Sequence, residues 1–269
     1  MTIFSKQQVA PAASTVLANP LDYGDYAGAG FEGMSKDDYA VPFLRVLQTN
    51  SPQIEGGTAG IDGAKAGMIF NNVTRELIDG KTGVPFVPVA REHNFVEYVP
   101  RDAGGGFVGL RDIGDPLVAA LREKQGAFGR LKTDAGTELV ETYYVFGLAL
   151  LSDRRLMSVV GFSSTQIKFY RSWMTYADGL VLNVDGREVK PPLFAHRWRL
   201  GSLPDKNKKG SFFSWRVNLD GSDAAACRLP KSDPVFQDAA AFYERVRKGK
   251  VKAVHDAAEP AGSDDNVPF

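Results

Sequence analysis

Apolar residues fall into short blocks, many with a period of two, separated by glycine, proline and charged turns. Val41 to Gln48 and Gly67 to Thr74 predict strands on either side of a Gly-rich loop over 52–66. Gly83 to Ala90 predicts a buried strand whose prolines argue for a sheet edge or a bulge. His93 to Val99 alternates as a half-buried strand does, and Pro100 to Phe107 is a glycine-rich loop. Residues 137–151 form a long β-branched and aromatic strand. The turn Ser152-Asp-Arg-Arg joins it to a partner over 156–162, a hairpin. Leu193 to Leu200 and Ser211 to Leu219 predict two further strands joined by a basic loop. Three segments carry helix signals instead. The first has Asp115 as N-cap, Pro116 in its first turn and Gly126 beyond its end. The second opens on the hydroxyls Ser163 to Thr165, and the third starts at Asp233-Pro234.

Seven or eight strands and three helices, with hairpin-length links between many strands, predict an antiparallel α+β domain rather than a doubly wound one. An antiparallel β-barrel of the oligonucleotide-binding (OB) type with peripheral helices is the expected topology. Residues 1–37, rich in Ala, Gly, Pro and Ser, are expected to be a flexible arm, and 253–269 a disordered acidic tail, leaving 38–252 as the folded domain.

Composition narrows the function. With 43% hydrophobic and 24% charged residues, collagen-like, coiled-coil and wholly disordered chains are excluded. No apolar run is long enough for a membrane span, and MTIFSKQQVA lacks the basic start and apolar block of a secretory signal. A cytoplasmic setting is expected, that of a host cell if the protein is phage-encoded. The single cysteine, Cys227, forms no internal disulfide and excludes a multi-cysteine metal cluster. His93, His196 and His255 have no metal-ligand spacing. The glycine clusters lack the Gly-Lys-Ser/Thr ending of a phosphate loop, and no Gly-x-Ser-x-Gly elbow occurs. No catalytic residue, metal or cofactor is expected.

Net charge is zero, with 32 basic and 32 acidic residues, but unevenly placed. Residues 1–35 carry −2 and 256–269 carry −4, so the body between them carries +6. Arg187 to Asn218 alone holds eight Lys or Arg against Glu188 and Asp205, the same excess. Alternation places Arg197 and Arg199 on one side of their strand and His196 and Trp198 on the other. On the return strand it groups Phe212, Ser214 and Arg216 against Phe213 and Trp215, with Lys206, Lys208 and Lys209 in the connection. Cations neutralise phosphates, and flat rings stack on unpaired bases without demanding a particular one. Arg197, Trp198, Arg199, Lys206, Lys208, Lys209, Phe212, Trp215 and Arg216 are therefore candidate DNA contacts. Lys168 and Arg171, three apart on one helix face, are a second set. For Trp198 and Trp215, burial in a core is the competing reading.

The chain ends Asp264-Asp265-Asn266-Val267-Pro268-Phe269. This ending resembles the acidic tip of bacterial single-stranded-DNA-binding proteins, which closes on an Asp-Asp-Asp-Ile-Pro-Phe pattern; similar tails occur on phage-encoded DNA-binding proteins. Asn266 departs from the pattern and removes one charge. The resemblance implies that Asp264, Asp265, Val267, Pro268 and Phe269 bind partner proteins. A terminal ring and carboxylate suit an apolar pocket rimmed by Arg or Lys. The expectation is a phage-type, non-enzymatic protein that coats single-stranded DNA with little sequence preference and recruits replication or recombination proteins through its tip. A recombination mediator or annealing protein, a virion structural β-domain and an enzyme with a dispersed metal site are the alternatives. Self-association is left open by the sequence.

Overall fold

A computed structural model of the chain describes residues 29–30, 32, 41–126, 129–207, 210–249 and 251. The chain divides into two units, residues 1–35 and 36–269, and all the helices and strands named below belong to the second. The expected tail over 253–269, and the arm over 1–37 apart from Ala29, Gly30 and Glu32, lie outside the described residues.

The elements run β1 (Phe43–Val46), α1 (Pro52–Glu55), β2 (Ile69–Asn71), β3 (Leu77–Ile78), β4 (Val84–Val99), β5 (Gly106–Asp112), α2 (Pro116–Gln125), β6 (Leu131–Lys132), β7 (Glu138–Leu150), β8 (Arg155–Ser163), α3 (Ile167–Asp178), β9 (Leu182–Val184), β10 (Arg187–Val189), β11 (Trp198–Asn207), β12 (Gly210–Leu219) and α4 (Pro234–Arg247). Eight strands follow one another in the order β12-β11-β4-β7-β8-β1-β2-β3, with β5 added to β4 and β6 to β7. The pairings are antiparallel except β1 with β8, which run parallel with Phe43 opposite Val159. β9 and β10 form a separate two-stranded ribbon. The α+β, mainly antiparallel expectation is met.

The path does not close into a continuous ladder, yet its two ends meet. Gln48, just past β1, offers its side-chain amide to the outer edge of β12 as a strand would offer a peptide. Its Oε1 accepts the Phe213 N–H at 2.8 Å and its Nε2 donates to the Phe213 carbonyl at 2.9 Å. The Ser202 N–H donates to the Gly80 carbonyl at 2.8 Å, and the Ser202 hydroxyl to that of Gly67. Gly67 has φ +86°, and a side chain there would meet the Phe213 ring at 2.6 Å, so this contact requires glycine. The sheet is thus a curled, open half-barrel pinned by side chains.

Inside the curl, Leu44, Val46, Ile69, Phe86, Val160, Phe162, Trp198, Leu200 and Trp215 form one core with Tyr170 and Trp173 of α3. On the other face, Phe43, Val87, Val96, Phe146 and Val159 pack under Ala239 and Phe242 of α4. Helices α2 and α4 begin where their caps dictate. Asp115 accepts the Leu117 N–H and Asp233 the Val235 N–H, each at 2.8 Å, with proline in the first turn of both.

Several expectations need correction. The two strands expected over 83–90 and 93–99 are one 16-residue strand, β4. It is central, so of the two readings of its prolines the bulge is met and the edge is not. The break in register between Pro88 and Ala90 shows how proline, which lacks an N–H, is accommodated there. Leu193–Ala195 is a turn of 3₁₀ helix, and β11 starts at Trp198 but runs on to Asn207. The basic connection is therefore mostly ladder. Asn207 pairs with Gly210, leaving only Lys208 and Lys209 between them, and these two lie outside the described residues. The Gly-rich 52–66 holds α1 and a 3₁₀ turn, and Ser163 makes no side-chain cap for the helix that follows.

Candidate nucleic-acid interface

Helix α3 organises the candidate surface. Tyr170 and Trp173, three apart, point into the curl, and Lys168, Arg171, Ser172, Thr175 and Tyr176 are exposed. Its start abuts the edge of β12. Gln166 accepts the Trp215 N–H at 3.1 Å and donates to the Phe213 carbonyl at 3.3 Å. The helix 167–178 and the hairpin 198–219, singled out separately in the sequence, are thereby neighbours.

A cleft of about 440 Å³ opens between them, lined by Phe169, Trp173, Tyr176, Trp198, Asn218 and Leu219 among others. Trp173 and Trp198 meet edge-to-face at 5.7 Å, and Tyr176 stands at 86° to Trp198 at 5.8 Å. At the helix start the Lys168 ammonium lies 4.7 Å from the Phe169 ring centroid and 2.9 Å from Asp205. Asp205 also accepts from the Ser214 hydroxyl at 3.0 Å and the Lys206 N–H at 2.8 Å. These contacts, Lys168 foremost, hold its carboxyl below the usual carboxylate range.

The expected DNA contacts divide. Trp198, Trp215 and Phe212 are only 3%, 2% and 3% exposed, so the stacking expected of these rings is corrected to burial. Trp198 and Trp215 alternate into the curl. Phe212 faces the other way and is covered nonetheless. Arg197 and Arg199 are correctly placed opposite Trp198 in the alternation, but neither is a bare cation. Both clamp Asp220, Arg197 Nε at 2.7 Å and Arg199 Nη2 at 2.5 Å, and the Asp220 side chain is only 9% exposed. That carboxylate lies two residues beyond the basic stretch 187–218. Arg216 donates to the Lys81 carbonyl at 2.6 Å, and among the described residues no carboxylate lies within ion-pair range of it. Lys206 and Arg171 are exposed and likewise lack a described carboxylate partner. Arg199 and Arg216 occupy the outer face of the hairpin, away from the cleft; Lys168 reaches over the β12 side to Asp205 on that outer face. Lys208, Lys209 and the tip residues 264–269 lie outside the described residues.

Two cavities on the other flank of α3 escaped the sequence reading, because their residues come from elements far apart in the chain. One, about 870 Å³, is lined by Arg91, Tyr143, Tyr170, Lys190 and Tyr243 among others. Tyr143 is already sandwiched there, between His93 at 4.0 Å and Tyr170 at 4.4 Å. Burial pushes the Tyr170 phenol up, and the nearby Arg91 works against that. The second, about 670 Å³, lies at the start of α3 and includes Arg130, Glu141, Thr165, Lys168 and Arg171.

A family model described as Pam3 phage gp34-like protein matches residues 9–252. The chain belongs to the Pam3 phage gp34-like family. The expectation of a phage protein is met at that level, and the matched span includes α3, the hairpin and every cavity described above. The acidic tip lies beyond it. No curated protein and no solved structure matches the chain. Among the described residues of this family member, no helix is long and apolar enough to cross a membrane, and no three His, Cys, Asp or Glu side chains are grouped to hold a metal ion.

Proposed function

We propose that this phage protein binds single-stranded DNA across the junction of α3 and the β11–β12 hairpin. The reading rests on one observation: two segments far apart in the chain, each carrying cations and rings, pack side by side around an aromatic cleft, and Lys168 of the helix start lies over the Phe169 ring and pairs with Asp205 of the hairpin. Unpaired bases offer flat apolar faces to such a cleft, while Lys168, Arg171, Lys206 and Arg216 supply charge for the phosphates. The curled, mainly antiparallel sheet is compatible with an OB-type barrel opened on one side. Coating of unpaired strands during replication or recombination, and recruitment of partners through Asp264, Asp265, Val267, Pro268 and Phe269, complete the proposal; the recruitment rests on the resemblance of the tip.

The test is a salt titration of oligonucleotide binding by the full chain. Single strands are expected to bind more tightly than duplex. Replacing Lys168, Arg171 and Lys206 by glutamine is expected to reduce the slope of log affinity against log salt by about 0.7 for each phosphate no longer neutralised. Removing residues 264–269 is expected to leave strand binding intact or stronger. Absence of binding in dilute buffer, with or without the tip, would overturn the proposal.

A further inference from the structure

We infer that the β9–β10 ribbon joins two copies of this chain: the outer edge of β10 pairs antiparallel with β10 of a second copy across a two-fold axis at Val189. Such pairing needs no DNA and stands apart from the strand-binding reading.

The ribbon is well formed yet bare. Asp185 and Gly186 have φ +53° and +77°, the positive values that a tight two-residue hairpin turn requires, and the Gly186 N–H donates to Asn183 Oδ1 at 2.9 Å. Val184 faces Arg187, Asn183 faces Glu188 and Leu182 faces Val189. No other described strand pairs with either edge, and all of β10 is exposed. Two strands alone are marginal in water, and an open edge is a template for another strand. Alternation puts Leu182, Val184 and Val189 on one face, where Val184 and Val189 are 48% and 44% exposed. Valine favours strands because it packs on neighbours, and within one copy these two find little to pack on.

The charges select the edge, the register and the occupant. In a two-residue hairpin the residues flanking the turn, Val184 and Arg187, bond to each other through their peptides, so those of Glu188 and Lys190 turn outward. The side chains of Glu188 and Lys190 share the face opposite Val189. Edges are commonly guarded by charge, but an acid and a base two residues apart become complementary under two-fold rotation. With Val189 opposite Val189 of the second copy, Glu188 lies opposite Lys190 twice over. The same register makes both of those pairs hydrogen-bonded ones and leaves the valines as the closer, non-hydrogen-bonded pair. Leu182 and Val189 of each copy then form one apolar row across four strands. Lys190 also pairs with Asp178, but both side chains are more than half exposed, so the ammonium can take a second carboxylate. Pro191 and Pro192, which lack an N–H, stop the ladder after Lys190. The edge of β9 offers Val181 and Asn183 outward instead and has no charges to fix a register.

The experiment is sedimentation of the full chain without DNA from about 1 to 100 μM, a span suited to a small interface. A monomer–dimer equilibrium is expected. Glu188→Lys and Lys190→Glu each set like charges opposite one another at two symmetric places, and each is expected to weaken the dimer about two- to thirtyfold. Mixed in equal amounts, the two variants regain both attractions, and a mixed dimer of about wild-type affinity is expected. Recovery on mixing separates a broken contact from a damaged fold. A monomer throughout the range leaves the ribbon to a strand of another protein and overturns the pairing. A dimer that neither variant weakens, or one that mixing does not restore, overturns it too.

Discussion

Replacing Gln48 by alanine is the sharpest test of how the sheet keeps its curl. The side chain is 3% exposed and makes three hydrogen bonds: it accepts the Phe213 N–H at 2.8 Å, donates to the Phe213 carbonyl at 2.9 Å and donates to the Val46 carbonyl at 3.3 Å. Truncation leaves the Phe213 N–H with no described acceptor. The Phe213 carbonyl keeps only the longer bond from Gln166 at 3.3 Å. A buried polar group left unsatisfied costs about 1–3 kcal/mol, and in this variant one group loses its partner outright and one in part. Some side-chain entropy is returned. The expected loss of stability is about 2–4 kcal/mol. Urea unfolding followed by tryptophan emission measures it directly, because Trp215 lies two residues from Phe213. The midpoint should fall at unchanged slope, since the surface exposed on unfolding stays nearly the same. Because the same edge of β12 forms a wall of the cleft, weaker oligonucleotide binding should accompany the destabilisation. If Gln48→Ala unfolds within about 0.5 kcal/mol of wild type, the apolar contacts inside the curl hold the two ends together without the amide, and the pinning argument fails.

Two further outcomes are expected. Replacing Arg197 and Arg199 together by glutamine should strand the nearly buried Asp220, lower stability and leave the salt slope of DNA binding unchanged; a flatter slope in equilibrium titration would show that these arginines contact phosphate after all. His196 is buried, and burial, with Arg228 a smaller cause, holds its pKa below the usual histidine range, so the folded state keeps the ring neutral. The unfolded chain then takes up a proton first, and stability should decline as pH falls from about 6.5 toward the lowered folded value. Urea midpoints on either side of that window, compared with those of His196→Gln, check this: the variant should lack that part of the decline.

Much of the fold was legible because local signals and tertiary structure agreed. The caps Asp115 and Asp233 start their helices where the sequence places them, and the hairpin of β7 and β8 turns at Ser152-Asp-Arg-Arg. The misreadings have distinct causes. β4 reads as two strands because Pro88 interrupts the alternation, whereas the chain absorbs it as a bulge in a single strand that pairs with β7 almost throughout. β5 begins within a glycine run with no strand propensity of its own and exists because β4 offers it an edge. The pins that curl the sheet left no local signal. Gln48 and Phe213 are 165 residues apart, and nothing in either segment announces the other.

The candidate site shows why a charge count along the chain differs from a charge on a surface. Eight cations against two acids between Arg187 and Asn218 suggest a continuous basic face. Folding redistributes that excess. Asp220 takes Arg197 and Arg199, and Asp178 takes Lys190. Asp205, a lone acid within the basic loop by sequence, is spent on Lys168 from another element. What remains without a carboxylate partner among the described residues is a smaller set, Arg187, Lys206 and Arg216 of that stretch and Arg171 of α3, with Lys168 shared between Asp205 and the Phe169 ring. The rings undergo the opposite change. Trp215 and Phe212, read as stacking platforms, become core, and Trp198 is buried as well. Yet Trp198 keeps a donor that the core does not satisfy, beside a matching donor on Trp173. A donor left unpaired in a low-dielectric interior is costly. The candidate surface is therefore sparser than the sequence suggests: fewer cations without a carboxylate partner, and rings that line a cleft from within the core rather than standing free of it.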